Sequence, residues 1–255
     1  MISLSAFTKL RVLIVVAHVL GAWGMIEFWD PSWLALTVVS NVLFLWVGHE
    51  LYLHRFLAHK SFEMSVAWQR VFALLSVFNL FGTPVGIVST HIQHHKHTDA
   101  KGDPHPASSP IQTWLWIYPL MGKASNSAVV KRLMRDRWIA AITKHYFSIY
   151  IATVLIAAMI DVRIAVYGFL LHVVYAFFAN SMINVVCHKY GYTVERSKDN
   201  SKNNLYVNTL LLFSGAALHN AHHSNPSAYK LSRAWYEIDL VGWMIEFIKT
   251  RKRAV

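Results

Sequence analysis

The sequence predicts an all-α integral membrane protein, with four transmembrane helices in two hairpins under a cytosolic helical cap. Three observations support this class: the chain is 55% hydrophobic, it has long uncharged runs, and its net charge is +11. A positive surplus of this size is typical of nucleic-acid binding or of the cytoplasmic face of a membrane. The apolar runs favour the membrane and argue against a nucleic-acid partner.

Four apolar segments are long enough, with their flanks, to cross a bilayer core, which requires about 20 residues. We predict spans at about residues 10–28, 33–54, 145–160 and 163–187 of a single domain that comprises residues 1–255. The longest uncharged run, Ile164–Cys187, lies in the fourth span. Residues 55–144 and 188–255 are then cytosolic or interfacial.

Basic residues are distributed unevenly around these spans. The two short connections contain one of them, Arg163, whereas the other connections and the tail contain nearly all the Lys and Arg. The tail alone contributes Lys249, Arg251, Lys252 and Arg253. Because cytoplasmic loops are enriched in Lys and Arg, both termini and the long middle segment are predicted to be cytoplasmic.

Two further apolar stretches, Val71–Thr90 and Leu205–Leu218, complicate the count of spans. The first contains Gly82, Pro84 and Gly86, which disfavour a straight helix, and the second is too short to span. If Val71–Thr90 crossed the bilayer, the histidines before and after it would lie on opposite sides. We therefore predict that both stretches are helices that lie on or dip into the interface.

Histidines cluster at four places that this topology puts on one side of the membrane. Two HxxHH motifs, at 91–95 and 219–223, each follow one of the interfacial stretches. Histidines at 49, 54 and 59 end the second span, and His188 ends the fourth. On an α-helix, positions i, i+3 and i+4 occupy a face about 100° wide. Each HxxHH motif is therefore predicted to present three imidazoles on one face.

Such a concentration of neutral imidazoles is suited to a transition metal. The single cysteine, Cys187, excludes a CxxC zinc site and an intramolecular disulfide framework. Eight or nine histidines supply two metals with four or five nitrogens each. A histidine-rich site that leaves a coordination position of the metal open suits iron and dioxygen chemistry. Zinc and copper also accept imidazole ligands, so the ligand type does not exclude them. Since imidazoles leave the metal charge uncompensated, carboxylates are expected behind them, and the candidates are Glu50, Asp99 and Asp103.

These motifs resemble the histidine boxes of the membrane-bound fatty acid desaturases, especially of the delta-9 type. The resemblance covers about Leu51 to Trp243 and rests on HRFLAHKSF (54–62), HIQHH with the downstream GDPH, NVVCHKYGY (184–192) and HNAHH. It implies four spans under a cytosolic cap and a di-iron centre with two iron ions per chain. It also implies dehydrogenation of an acyl chain with O₂ and two external electrons.

The resemblance also implies a set of metal ligands. Carried over position by position, they are His54, His59, His91, His94, His95, His188, His219, His222 and His223, with Asn184 acting through a bound water. His49 and His54 fit the HxxxxH spacing too, but the family pattern selects His54 and His59. His49 is then a candidate for a hydrogen-bonded residue behind the metal ligands. Residues i and i+5 lie about 140° apart on an α-helix, so we expect the helix to end near this pair.

Partners follow from the same resemblance. The acyl chain is expected on coenzyme A, on acyl carrier protein or in a glycerolipid within the membrane. One cysteine cannot hold an iron–sulfur cluster, so a separate ferredoxin or cytochrome b-type electron donor is expected.

Two alternatives remain at this stage. A hydroxylase on the same scaffold is the nearest, because identical ligands can insert oxygen. A membrane carrier of metal or haem is the second, and histidines paired within the spans would be typical of it. His18 and His172 do lie within spans, and for them we predict neutral hydrogen bonding between helices.

Overall fold

The computed structural model describes residues 5–105, 109–114 and 127–250. Within these residues the secondary structure is helical, and the only β pairing consists of isolated bridges. The predicted tail cations Arg251, Lys252 and Arg253 lie outside the described residues. In chain order, the helices are α1 (Ala6–Glu27), α2 (Pro31–Ala58), α3 (Val66–Asn79), α4 (Pro84–His97), α5 (Pro110–Trp114), α6 (Ser127–Leu133), α7 (Arg137–Ile160), α8 (Val162–His188), α9 (Leu205–Leu210), α10 (His219–Ser224) and α11 (Leu240–Ile248).

Helices α1, α2, α7 and α8 are long and apolar enough to cross a membrane, which confirms the predicted four-span class. They extend beyond the apolar runs seen in the sequence. Helix α2 continues to Ala58, past its expected end at residue 54. Helix α7 begins at Arg137 rather than near residue 145, because the Asp136 side chain accepts hydrogen bonds from the amides of Trp138 and Ile139 and caps the helix there.

The two short connections lie at the same end of the bundle. The amide of Asp30, between α1 and α2, donates to the Tyr167 hydroxyl of α8 (3.2 Å). The guanidinium of Arg163 lies 4.9 Å from the centre of the Trp33 ring. The two helical hairpins therefore stand side by side, and the opposite ends of α2 and α8 carry the histidines.

From Asn41 to Ala58, helix α2 is a π-helix, in which backbone hydrogen bonds join residues five apart. The amide of His59 accordingly donates to the carbonyl of His54 (3.2 Å), and the two rings are 5.0 Å apart. The helix ends at Ala58, next to His59, as expected. The separation of about 140° between residues i and i+5 applies to an α-helix with 3.6 residues per turn, and the π geometry instead brings the two rings of the HxxxxH pair together.

Helices α3 and α4 form a pair bent by 80°, which by length and composition alone also fits a broken fifth span or a re-entrant loop. The bend lies where Gly82 has a φ of +127° and Pro84 begins α4. Nε2 of His59, before the pair, lies 2.7 Å from Nε2 of His91, near its end. The chain thus returns to the end of the bundle that it left, and Val71–Thr90 does not separate the histidine clusters.

The second stretch, Leu205–Leu218, is helical only over Leu205–Leu210, so the prediction of a helix along its whole length was wrong. Phe213 and Gly215 have positive φ values. The Asn208 side chain accepts a hydrogen bond from the amide of Gly215 (3.0 Å), which stabilises a turn in competition with the helix. This turn delivers the chain to His219 at the start of α10.

Replacing Gly215 with alanine is expected to lower the thermal midpoint of unfolding in detergent. Its φ of +86° costs an L residue about 1–2 kcal/mol, and an added Cβ would lie 2.2 Å from Oδ1 of the buried Asp239. Gly102→Ala is the matched control, because Gly102 also has a positive φ but its Cβ would meet only the His97 ring at 3.7 Å. Equal losses in the two variants would contradict the predicted clash.

Both histidines inside the spans form hydrogen bonds between helices, as predicted. His172 of α8 places Nδ1 2.6 Å from Oδ1 of Asn41 in α2 and Nε2 3.1 Å from Oδ1 of Asn79 in α3. Trp114 of α5 donates from Nε1 to Nε2 of His18 in α1 (3.0 Å). These two rings therefore act in helix packing.

Candidate metal centre

Nine histidines converge at the end of the bundle where α2 and α8 stop. They form two groups, and within each group one ligand atom per residue lies within 4.8 Å of all the others. All nine belong to the set that the sequence resemblance implied. The five-histidine group contains His54, His59, His91, His95 and His222, and the four-histidine group contains His94, His188, His219 and His223.

Each HxxHH motif is divided between the two groups. On α4, His91 and His95 belong to the five-histidine group, whereas His94 belongs to the four-histidine group. On α10, His222 joins the former and its two motif partners join the latter. Side chains across a face about 100° wide reach two different points, so the three imidazoles of one motif supply both groups. The two helices therefore lie across both groups.

The ring nitrogens within each group approach one another closely. Nε2 of His222 lies 2.8 Å from Nε2 of both His54 and His95. In the four-histidine group, Nε2 of His188 lies 3.0 Å from Nε2 of His219. Two imidazole nitrogens that each lie about 2.0–2.1 Å from one ion are about 2.9 Å apart when they subtend a right angle, as in octahedral coordination. The observed spacing is thus that of neighbouring ligands on one metal ion.

Aspartates determine which ring nitrogen carries the proton in the four-histidine group. Three members donate from Nδ1, in the pairs His94–Asp103 (2.8 Å), His188–Asp99 (3.2 Å) and His223–Asp199 (2.9 Å). A ring that donates from Nδ1 keeps the lone pair on Nε2. Nε2 of His94 and of His223 is buried without a hydrogen-bond partner in the described part of the chain. Buried lone pairs of this kind fit a bound cation.

The five-histidine group has a different environment behind its rings. His54 donates from Nδ1 to one oxygen of Glu50 (2.9 Å), and Arg55 donates from Nε to the other (3.1 Å). Arg55 also donates to Oδ2 of Asp239 (2.9 Å), which accepts from the amide of Leu231 (2.7 Å). All three charged side chains are buried. This network joins the five-histidine group to the C-terminal segment.

The protonation states suit metal binding, which requires neutral imidazoles. Desolvation lowers the pKa of His59 to about 2. It also lowers the pKa of His223 to about 4, although the hydrogen bond to Asp199 acts in the opposite direction. Burial by itself raises the pKa of Asp199, but the hydrogen bond from His223 holds it well below its usual range. The His59 and His223 rings are thus neutral, and Asp199 is ionised, at pH 7.

Asn184 and His49 lie beside the two groups, in the wall of a cavity. Asn184 donates from Nδ2 to the backbone and side-chain oxygens of Asn180 (2.9 and 2.8 Å). The His49 ring packs edge-on against Phe81, with 4.9 Å between ring centres. Within the described residues, no hydrogen bond joins His49 to a member of either group, whereas Glu50, Asp99 and Asp103 each accept a hydrogen bond from one of the nine histidines.

Asp199, Arg55 and Asp239 were not among the sequence predictions. Asp199 is one of two acidic residues between the Asn-x-x-x-His element and the last HxxHH motif. The requirement for carboxylates behind imidazole ligands would have narrowed the search to these two. Arg55 and Asp239 carried no such signal, because they are distant in sequence and meet only in the folded chain.

The cavity extends from the histidines into the space between the helices. Four of the nine histidines, together with His105, form its polar end. A concave, mostly apolar site with a few polar groups is suited to a small-molecule ligand, and the apolar walls here suit a hydrocarbon. The apolar walls come from α2, α8 and the turn after α9, and include Leu45, Trp46, Leu53, Ala179, Ile183, Leu211 and Ala216.

Fold and site together define a four-span membrane protein with a histidine-rich metal site beside an apolar cavity. The fatty acid desaturase family model matches residues 31–248, which is most of the chain, and the protein belongs to this family. It is accordingly an oxidoreductase of the acyl-lipid or acyl-CoA desaturase class.

Curated relatives agree on the reaction and differ in the substrate. An acyl-CoA 5-desaturase from Anemone leveillei is 30% identical over 235 residues, which cover 87% of this chain and 70% of that protein. An sn-2 palmitoyl-lipid 9-desaturase from Nostoc sp. is 28% identical, with coverage of 93% and 86%. An sn-1 stearoyl-lipid 9-desaturase from Anabaena variabilis is also 28% identical, with coverage of 84% and 79%. The family is shared, whereas the acyl carrier and the double-bond position vary.

Proposed function

We propose that the protein is an O₂-dependent desaturase that introduces a cis double bond at the delta-9 position of a saturated acyl chain. The observation that carries this proposal is the pair of histidine groups with ligand-like spacing at the end of an apolar cavity. The delta-9 position is supported by the delta-9 type of the histidine motifs and by the names of the Nostoc and Anabaena relatives. The Anemone relative is named for position 5, so product analysis decides this detail.

We assign one iron ion to each histidine group, with Asn184 contributing to the four-histidine group through a water. The donor set fits, because it combines neutral imidazoles, buried Nε2 lone pairs and ionised carboxylates behind the rings. When bound, the iron pair supplies the O₂-dependent oxidising chemistry, fed by two external electrons, that an unactivated methylene requires. No acid or base side chain can supply this, since such a C–H bond has no acidic proton.

The protein's own residues bind and orient the substrate. Each methylene buried against walls such as Leu45, Trp46 and Leu53 contributes about 0.8 kcal/mol, so a long chain is held along the cavity and water is excluded from it. The position of the chain along the cavity then determines which methylene lies beside the histidines. Glu50 and the three aspartates keep the rings in one tautomer and one orientation.

We further propose that the histidine end of the bundle faces the cytoplasm. Among the described residues, cations such as Lys9, Arg11, Arg137 and Lys189 flank the spans at that end, whereas Arg163 lies at the other. This distribution is what the positive-inside rule requires. An electron donor of the ferredoxin or cytochrome b type then reaches the site from the cytoplasm. The acyl chain arrives on coenzyme A, on acyl carrier protein or in a glycerolipid.

Expression in a desaturase-deficient host tests the reaction directly. Fatty-acid profiling is expected to show a new cis-9 monounsaturated product whose mass is lower than that of its precursor by two hydrogens. A gain of one oxygen would instead identify a hydroxylase. The purified protein is expected to contain two iron ions per chain and to lack a Soret band. Stoichiometric zinc, or a haem spectrum, would contradict the iron assignment.

A further inference from the structure

The two histidine groups differ in the charge that surrounds them. Three of the four rings in the four-histidine group donate to an aspartate of their own: Asp99, Asp103 or Asp199. Only one ring of the five-histidine group, that of His54, donates to a carboxylate in the described part of the chain. One imidazole ring separates each of these carboxylates from the proposed metal position of its group. The number of carboxylates is therefore a direct measure of the negative charge around each position.

The balancing cations are also distributed unequally. Glu50, behind the five-histidine group, is paired with the buried guanidinium of Arg55 (3.1 Å). Within the described residues, no Lys or Arg forms an ion pair with Asp99, Asp103 or Asp199. Their oxygens instead accept from backbone amides, which carry no net charge, for example from Asn200 to Asp99 (2.8 Å) and from Ser201 to Asp199 (3.0 Å). Three negative charges without an ion-pair partner among the described residues therefore surround the four-histidine group. Behind the five-histidine group, Glu50 and Asp239 share the one positive charge of Arg55, so this network carries a net charge of −1.

Charge differences of this kind act strongly at a buried site. Coulomb interactions in a protein are several times stronger than in water, since the effective dielectric constant is about 20. Negative charge stabilises Fe³⁺ more than Fe²⁺ because the interaction scales with the ionic charge. A carboxylate that accepts Nδ1–H also makes the imidazole a more basic ligand, which favours the higher oxidation state as well. Both effects have the same sign and are larger in the four-histidine group.

We propose that the two iron positions have unequal reduction potentials and that the ion in the four-histidine group is oxidised first. The inference rests on the proposed iron pair and adds a fixed order of electron transfer. In the first step one electron passes from Fe²⁺ in the four-histidine group to an external one-electron acceptor, and the other ion stays ferrous until the potential rises further. Asp99, Asp103, Asp199 and Arg55 are positioning residues in this scheme, because they act through the histidines.

The test is an anaerobic redox titration of the purified, iron-loaded protein with one-electron mediators, followed by Mössbauer spectroscopy. Two separate one-electron steps are expected, with equal amounts of Fe³⁺ and Fe²⁺ at the plateau between them. Asp199→Asn keeps a hydrogen-bond acceptor for His223 but removes the negative charge of the carboxylate. It is therefore expected to raise the lower of the two reduction potentials and to reduce the difference between them, which is called the gap below. Asp99→Asn, at a more exposed carboxylate, is a second variant with the same expected direction.

The matched control is Glu50→Gln, which removes a charge of the same sign behind the other group. It is expected to raise the upper potential and therefore to widen the gap. A single two-electron step, or a gap that moves in the same direction in both kinds of variant, would overturn the inference. If that result came from a protein with two irons and full desaturase activity, the proposed function would stand without it. A preparation that binds no iron would contradict both.

Discussion

Replacing His222 with alanine is expected to abolish desaturation and to remove iron, while the protein still inserts into the membrane. His222 is 1% exposed, and its Nε2 lies 2.8 Å from Nε2 of both His54 and His95. No neighbour can take its place at the centre of the five-histidine group. Removal of an outer hydrogen-bond partner typically costs about 10–100-fold in metal affinity, and loss of a ligand should cost more. Iron quantitation and fatty-acid profiling measure the two effects.

His97→Ala is the matched control for this experiment. His97 is the last residue of α4, the helix that contributes three of the nine histidines, and it belongs to neither group. Iron content and product formation are expected to stay at the level of the unsubstituted protein. If His222→Ala retained both, the assignment of the five-histidine group would be wrong. If the two variants lost iron equally, the effect would come from general disturbance of the site rather than from a missing ligand.

The largest effect on stability is expected from Asp239→Ala. Asp239 is fully buried and accepts hydrogen bonds from Arg55 (2.9 Å), the amide of Leu231 (2.7 Å) and the amide of Gly242 (2.8 Å). Its removal takes away one of the two carboxylates that balance the positive charge of the Arg55 guanidinium, which is 1% exposed. Breaking a buried ion pair by removing one partner costs roughly 3–5 kcal/mol. Unfolding in detergent, followed by circular dichroism, measures the loss.

Two further variants separate the causes of that loss. Glu195→Ala removes the partner of Arg233 in an ion pair that is 29% and 41% exposed, and such pairs contribute at most about 1 kcal/mol. Asp239→Asn keeps an acceptor oxygen but removes the charge, so its stability is expected to lie between those of Asp239→Ala and the unsubstituted protein. Equal losses for Asp239→Ala and Glu195→Ala would show that the buried network does not stabilise the fold.

Much of the architecture follows from local features of the sequence. Apolar length marks the four spans, and helix breakers such as Gly82 and Pro84 indicate that Val71–Thr90 does not cross as a straight helix. The HxxxxH and HxxHH spacings mark eight of the nine histidines that the fold brings together, and the Asn-x-x-x-His element marks the ninth, His188. Each of these spacings is a property of a few neighbouring residues. Departures from prediction occur where the backbone leaves α geometry, in the π-helical part of α2 and in the turn at Gly215.

The sequence by itself determined the membrane class, the end of the bundle at which the histidines gather and the identity of those histidines. Only the tertiary structure decided how each HxxHH motif is shared between two groups, and that Asp199, Arg55 and Asp239 stand behind them. The physical reason is the range of the interactions. Hydropathy and helical spacing act within one segment, whereas the charge around each group comes from residues far apart in sequence, whose contacts exist only after the helices pack.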